Sequence, residues 1–294
     1  MSATLKQPFG AAFLDRHRRT SRRAQLITLV ALVPALTIFT AFWLLPFSRL
    51  LLMGAEVDRA SGVSAYLTLL THRQYLISLA TTVTLSLAVS VAAVGIAGFA
   101  GFFLARHRFA GQSLLVAILT FPLAFPGVVV GFLVIMLGGR QGALAQTSLW
   151  LFGERWVFAY SLLGLFIGYL YFSIPRVITT VMAACDNLDQ SLEEAARSLG
   201  ASHWRVMRDV IIPGIAPALL STGAICFATS MGAFGTAFTL GTRLPILPLN
   251  IYGEFTNYAN FAMAAALSVV LGLITWAALA LARKLASNAL GASV

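Results

Sequence analysis

Long apolar runs separated by short charged connections set the first expectation. Stretches without Lys, Arg, Asp or Glu cover residues 24–48, 74–105, 109–139, 156–175, 210–242 and 255–282. Each reaches the roughly 20 residues that a helix needs to cross about 30 Å of hydrocarbon. The runs are continuous rather than alternating, which argues against a β-barrel and leaves helices to satisfy the backbone. The pattern predicts an all-α, polytopic membrane protein with six transmembrane helices. The spans fall at about 26–48, 77–105, 114–137, 156–182, 213–241 and 260–282, within a membrane domain over 26–285 and between tails at 1–25 and 286–294.

Composition agrees. At 59% hydrophobic and 10% charged, the 294 residues carry too few polar groups to cover a water-soluble globule. The net charge of +10 reads as topology. Lys6 and Arg16, Arg18, Arg19, Arg22 and Arg23 precede the first span, and Arg283 and Lys284 follow the last. Arg106 and Arg108 fall in the second connection, and Arg176, Arg197, Arg205 and Arg208 in the fourth. Together they hold most of the chain's 20 Lys and Arg, so by the positive-inside bias both termini are expected in the cytoplasm. Cations split among segments do not imply a nucleic-acid partner. The run 24–48 exceeds a usual signal core and is followed by five more spans, so it reads as an uncleaved anchor. Cys185 is expected in a cytoplasmic connection and Cys226 in the fifth span, with no bridge and no metal-ligand spacing.

The spans are punctuated. Pro122 and Pro126 invite a kink in the third, and Gly95, Gly98 and Gly101 permit close approach in the second. Thr82, Ser86 and Ser90 form a hydroxyl stripe that packing explains more simply than a substrate path. Ser230 to Thr239, with Gly232 and Gly235, is the most irregular part of the fifth span; Ser230, Phe234, Gly235, Phe238 and Thr239 either line a gated path or pack against a partner. Beyond it, Tyr252, Glu254, Asn257 and Tyr258 read as a periplasmic rim.

The connection over 186–213 carries the strongest signal. Asp189, or Ser191 with Glu194 as a capping box, starts a short helix. Leu188, Leu192, Ala195, Ala196 and Leu199 form one apolar stripe along it. Gly200 ends it, and Ser202 caps a second helix that runs until Pro213 intervenes. The prediction is a helix, a sharp corner and a helix feeding the fifth span.

Glu194-Ala195-Ala196, then Gly200, then Val210-Ile211-Ile212-Pro213 resembles the EAA loop of binding-protein-dependent ABC importer permeases. That pattern reads Glu-Ala-Ala, three residues, Gly, nine residues, Ile, any residue, Leu-Pro. The spacing is kept throughout, with Val210 for Ile and Ile212 for Leu. The resemblance covers about 75–283, with 24–53 as an extra first span. It implies the type I permease fold in a bacterial inner membrane. It also implies docking of the loop on an ABC ATPase dimer, which binds ATP and Mg. Glu194 would face a basic site there, Ala195 and Leu199 would fill its groove, and Gly200 would set the corner. A second permease subunit, more readily a different chain than another copy, and a periplasmic solute-binding protein complete the implied assembly. The segment around Ser230 to Thr239 would border the pathway. The branch it most resembles includes spermidine/putrescine permeases, with sulfate, iron, thiamine and phosphonate permeases as near relatives, so a polyamine is the expected cargo.

Neither Lys6 nor Lys284 lies in a phosphate-binding loop, and the four His fall outside the spans. No catalytic residue and no metal site is expected, and ATP hydrolysis is assigned to another chain. An ion-coupled secondary transporter or channel is the alternative; spans without acidic residues argue against it. A pathway without charged side chains is expected to leave the sign of the cargo unreadable.

Overall fold

The computed structural model describes Val30 and residues 32–56, 64–241 and 244–291. The amino-terminal tail with its cations, Arg243 and the last three residues lie outside the described residues. Every regular element among those described is helical. Six helical stretches are long and apolar enough to cross a membrane: Leu32–Ala55, Arg73–Arg106, Gly127–Phe152, Leu162–Asp186, His203–Met231 and Phe261–Ser287.

The chain divides after Met53. The first unit holds α1 (Leu32–Ala55) up to Met53, a helix that widens to a π-turn over Thr40–Leu44. Leu45 N–H closes that turn on the Thr40 carbonyl, and Pro46 follows at once. A proline lacks the N–H of the next ladder bond and crowds the carbonyl four residues back, which the wider turn moves aside. Phe39, Trp43 and Phe47 stack along one face at centroid separations of 4.9 and 5.4 Å.

In the second unit, α2 (Ala65–Thr71) leads into α3 (Arg73–Arg106), the central helix. It is followed by α4 (Gln112–Thr120), α5 (Gly127–Gly138), α6 (Ala143–Phe152) and α7 (Leu162–Asp186). Next come α8 (Gln190–Ser198) and α9 (His203–Val206), which continues through a π-turn over Met207–Ile211 into α10 (Ile212–Met231). The chain ends with α11 (Phe234–Leu240), α12 (Leu247–Thr256) and α13 (Phe261–Gly291).

α3 packs mainly on α7 and α10, α10 on α13, and α5 on α11. Lipid tails are as apolar as Leu, so small side chains that let helices approach closely are what hold such contacts. At Gly101 a side chain would run into the Ile178 carbonyl of α7. Thr82, Ser86 and Ser90 are all buried, as a stripe that packs against neighbouring helices requires. The Thr82 hydroxyl donates to the Ser78 carbonyl at 2.6 Å and accepts the Leu247 N–H at 2.8 Å, anchoring the start of α12 on α3.

Several expectations change. The third span is not one helix over 114–137: α4 passes into a 3-10 turn over Phe121–Ala124, the chain is extended at Phe125, and α5 starts afresh behind Pro126. Two prolines four residues apart each lack a ladder N–H and crowd the preceding turn, and the residue before Pro126 is pushed to the extended region, which is the physical reason. The fifth span breaks at Gly232 and Ala233. Pro213 does not stop the helix before it, because the π-turn closed by Ile212 on the Met207 carbonyl repeats the arrangement ahead of Pro46. Residues 286–291 continue α13 instead of forming a tail. Cys185 is buried in the last turn of α7. Glu254 turns inward from the predicted rim, buried and accepting the Tyr75 hydroxyl at 2.8 Å, while Tyr258 stays exposed.

Candidate coupling site and membrane break

The corner predicted around Gly200 forms from local rules. Asp189 is the N-cap of α8, accepting the Ser191 N–H at 2.9 Å, so the alternative cap at Ser191 is not used. That backbone hydrogen bond, with a second from the Ser191 hydroxyl, holds the Asp189 carboxyl below its ordinary value. At the other end Ala201 N–H reaches the Ala196 carbonyl at 3.0 Å and Gly200 N–H the Arg197 carbonyl at 2.9 Å. These two bonds are a Schellman closure, which needs a left-handed residue at its pivot; Gly200 supplies it with φ of 82°. Ser202 then accepts the Arg205 N–H at 3.4 Å and opens α9.

The predicted single stripe splits into two faces. On the inner face Leu188 fills the space that a side chain at Gly214 would need, Ala196 is half-buried, and Glu193 is buried. Glu193 forms an ion pair with Arg106, the last residue of α3, whose guanidinium also lies 5.7 Å from the Phe102 ring centroid. On the outer face Leu192, Glu194 and Ala195 are exposed, and Leu199 is 88% exposed at the corner. Pro213 is exposed where α10 begins. Sequence reasoning missed the pair between Glu193 and Arg106. The available signal was the i, i+3 spacing that puts Glu193 on the same face as half-buried Ala196.

Around the break between α10 and α11, the Tyr169 hydroxyl donates to the Ala233 carbonyl at 2.6 Å. The Thr236 hydroxyl donates to the Gly127 carbonyl at 2.9 Å, and Thr239 to the Gly235 carbonyl at 2.9 Å and the Val128 carbonyl at 3.4 Å. Gly235 and Thr239 thus pack on the first turn of α5. Phe234, Phe238 and Tyr252 form a ring cluster with each pair of centroids 5.2 Å apart. Ser230 is fully buried. Of the five candidate pathway residues, Phe238 is the most open, at 40% exposed.

One charge sits where none was expected. Arg176, counted above with the fourth connection, lies inside α7, about 15 Å of helix before Asp186 at 1.5 Å per residue. The helix runs through Pro175, so the apolar run ending there is not the end of the span. Among the described residues no group of three or more His, Cys, Asp or Glu comes together in a way that could hold a metal ion.

Residues 93–287 match the family model described as "Binding-protein-dependent transport system inner membrane component". The molybdenum transport system permease protein ModB of Haemophilus influenzae is 32% identical over 178 residues, 58% of this chain and 77% of that one. ModB of Escherichia coli is 34% identical over 147 residues, which spans 50% of this chain and 63% of the relative. The sulfate transport system permease protein CysT of E. coli is 30% identical over 233 residues, 78% of this chain and 81% of its own length. In fold, the chain is similar to one in the crystal structure of a bacterial alginate ABC transporter in complex with an alginate pentasaccharide-bound periplasmic protein. There the TM-score is 0.74 at 16% identity, covering 90% of this chain and 94% of the other. A protein with this helical architecture and this match over most of its membrane core belongs to the family of binding-protein-dependent transport system inner membrane components.

Proposed function

We propose that this chain is the translocating permease of an ATP-driven importer for a tetrahedral oxyanion, molybdate or sulfate. The substrate class follows from the relatives, which are named for molybdenum and sulfate; the polyamine expectation finds no support among them. The observation that carries the mechanical part is the outer face of the corner, where Glu194, Ala195 and Leu199 stand exposed on a capped helix tied to two membrane helices.

In this reading the corner faces the cytoplasm, on the side of Arg108, Arg197, Arg205 and Arg208, and docks on a separate ATPase subunit that binds ATP and Mg. Leu199 and Ala195 enter an apolar groove, and Glu194 fixes register by pairing with a cation. ATPase closure displaces α8. The ion pair between Glu193 and Arg106 passes that displacement to α3, and the contact of Leu188 with Gly214 passes it to α10. α10 in turn moves the break at Gly232 and Ala233, which borders the path, between inward-open and outward-facing states. A second permease subunit completes the path, and a periplasmic binding protein delivers the cargo. This chain performs no chemistry.

Proteoliposomes holding the complete transporter test this directly. ATP inside and binding protein outside should drive uptake of radiolabelled molybdate or sulfate and not of spermidine. Uptake of spermidine alone, or oxyanion uptake driven by an ion gradient without ATP, would overturn the reading.

A further inference from the structure

A cation within a membrane helix is costly and is normally offset by a partner. Arg176 has no carboxylate partner among the described residues, where the ion pairs are those of Arg106 with Glu193 and Arg208 with Asp209. Its neighbours are neutral. Nη1 donates to the Thr229 hydroxyl at 3.1 Å, and the Cys226 thiol lies beside it. A guanidinium has five N–H donors, so most of its capacity is left over.

Arg176 lines a cavity of about 350 Å³ together with Pro122, Phe125, Gly127, Phe172 and Thr236. No residue lining it is acidic. Gly127 opens α5, twelve residues long, behind a Pro126 N-cap that offers no side-chain acceptor. Val129 N–H already donates to the Pro126 carbonyl at 2.9 Å, which leaves the Gly127 and Val128 amides at the positive end of the helix dipole. The same cavity is walled by Ala233 and Gly235, at the break in the fifth span. An unpaired guanidinium, a helix start and an interrupted helix therefore meet in one concave site inside the membrane domain.

We propose that Arg176, with the first turn of α5, forms a transient oxyanion site within the translocation path. This rests on the oxyanion reading above and deepens it: the cargo meets a compensating positive charge at the point where the fifth span is broken. The guanidinium offers a planar fork to two oxygens of a tetrahedral dianion. With only one charged side chain in its lining, the site stays weak enough for release.

The test uses the complete transporter in proteoliposomes, with wild type, Arg176→Lys and Arg176→Gln compared for ATP-driven molybdate and sulfate uptake. Receptor-stimulated ATPase activity and subunit stoichiometry are read in parallel. Arg176→Gln should lower uptake at least tenfold while the complex stays assembled, and Arg176→Lys, which keeps the charge, should retain a third or more. Equal uptake by wild type and Arg176→Gln, or equal loss in both variants, would overturn the site and leave the oxyanion reading standing. Absence of oxyanion uptake by the wild type would overturn both. Should Arg176→Gln fail to assemble, the wild-type complex trapped with tungstate, a strongly scattering molybdate analogue, decides. Density is expected beside Arg176, and density elsewhere along the path, or none, would overturn the site.

Discussion

Glu193 of α8 and Arg106, the last residue of α3, form an ion pair whose carboxylate side is nearly sealed from solvent. Two segments 87 residues apart in sequence are joined there, and one of them is a short polar helix between two membrane spans. Breaking a buried pair by removing one partner costs about 3–5 kcal/mol, since a charge is left uncompensated. Glu193→Ala should therefore loosen α8 from α3 and lower coupled transport. The double variant Arg106→Met with Glu193→Met should recover much of the stability, and a double-mutant cycle on unfolding in mixed detergent measures the coupling.

Gly200 carries the turn between α8 and α9 in the left-handed region, with open space around its Cα. The constraint is thus conformational and not steric. An L-residue there costs about 1–2 kcal/mol, more for a β-branched one and less for Asn. Gly200→Val should insert normally yet lose most ATP-coupled uptake, whereas Gly200→Asn should keep most of it. Uptake per ATP hydrolysed separates the two.

Leu199 is almost fully exposed although it lies outside the apolar spans. Burying such a side chain against a partner is worth about 1.5–3 kcal/mol. Leu199→Asp should weaken ATPase binding about tenfold or more, and Glu194→Lys should do so with a stronger dependence on salt. Titration of the ATPase onto the permease in nanodiscs at two ionic strengths checks both.

Asp189 links the corner to pH. Its folded value lies below the carboxyl reference of 3.8, because Ser191 donates to the ionised form. The cap is therefore fully present above the unfolded value and is lost as pH falls through the lower folded one. Amide exchange at Ser191 and Leu192, corrected for intrinsic rates, should rise as pH drops below about 4. In Asp189→Ala the rise should be absent.

The spans were legible because charge-free runs of membrane length have few other uses, and the corner because capping and Gly200 act locally. What stayed hidden depends on tertiary placement. Glu193 and Glu194 are adjacent acids, and only the direction of α8 turns one toward Arg106 and the other outward. Arg176 follows a proline at the end of an apolar run, which reads as a boundary until the helix is seen to continue. The break at Phe125 and Pro126 was visible as a kink, but its pairing with the break at Gly232 rests on hydrogen bonds from Thr236 and Thr239 across more than 100 residues.

The claim that the corner at Gly200 is the handle of an external motor is tested most directly by a photo-crosslinking residue at position 199 in the intact transporter. An adduct with the ATPase subunit is predicted, growing or fading with the nucleotide state. Adducts confined to lipid or to the periplasmic binding protein would contradict it.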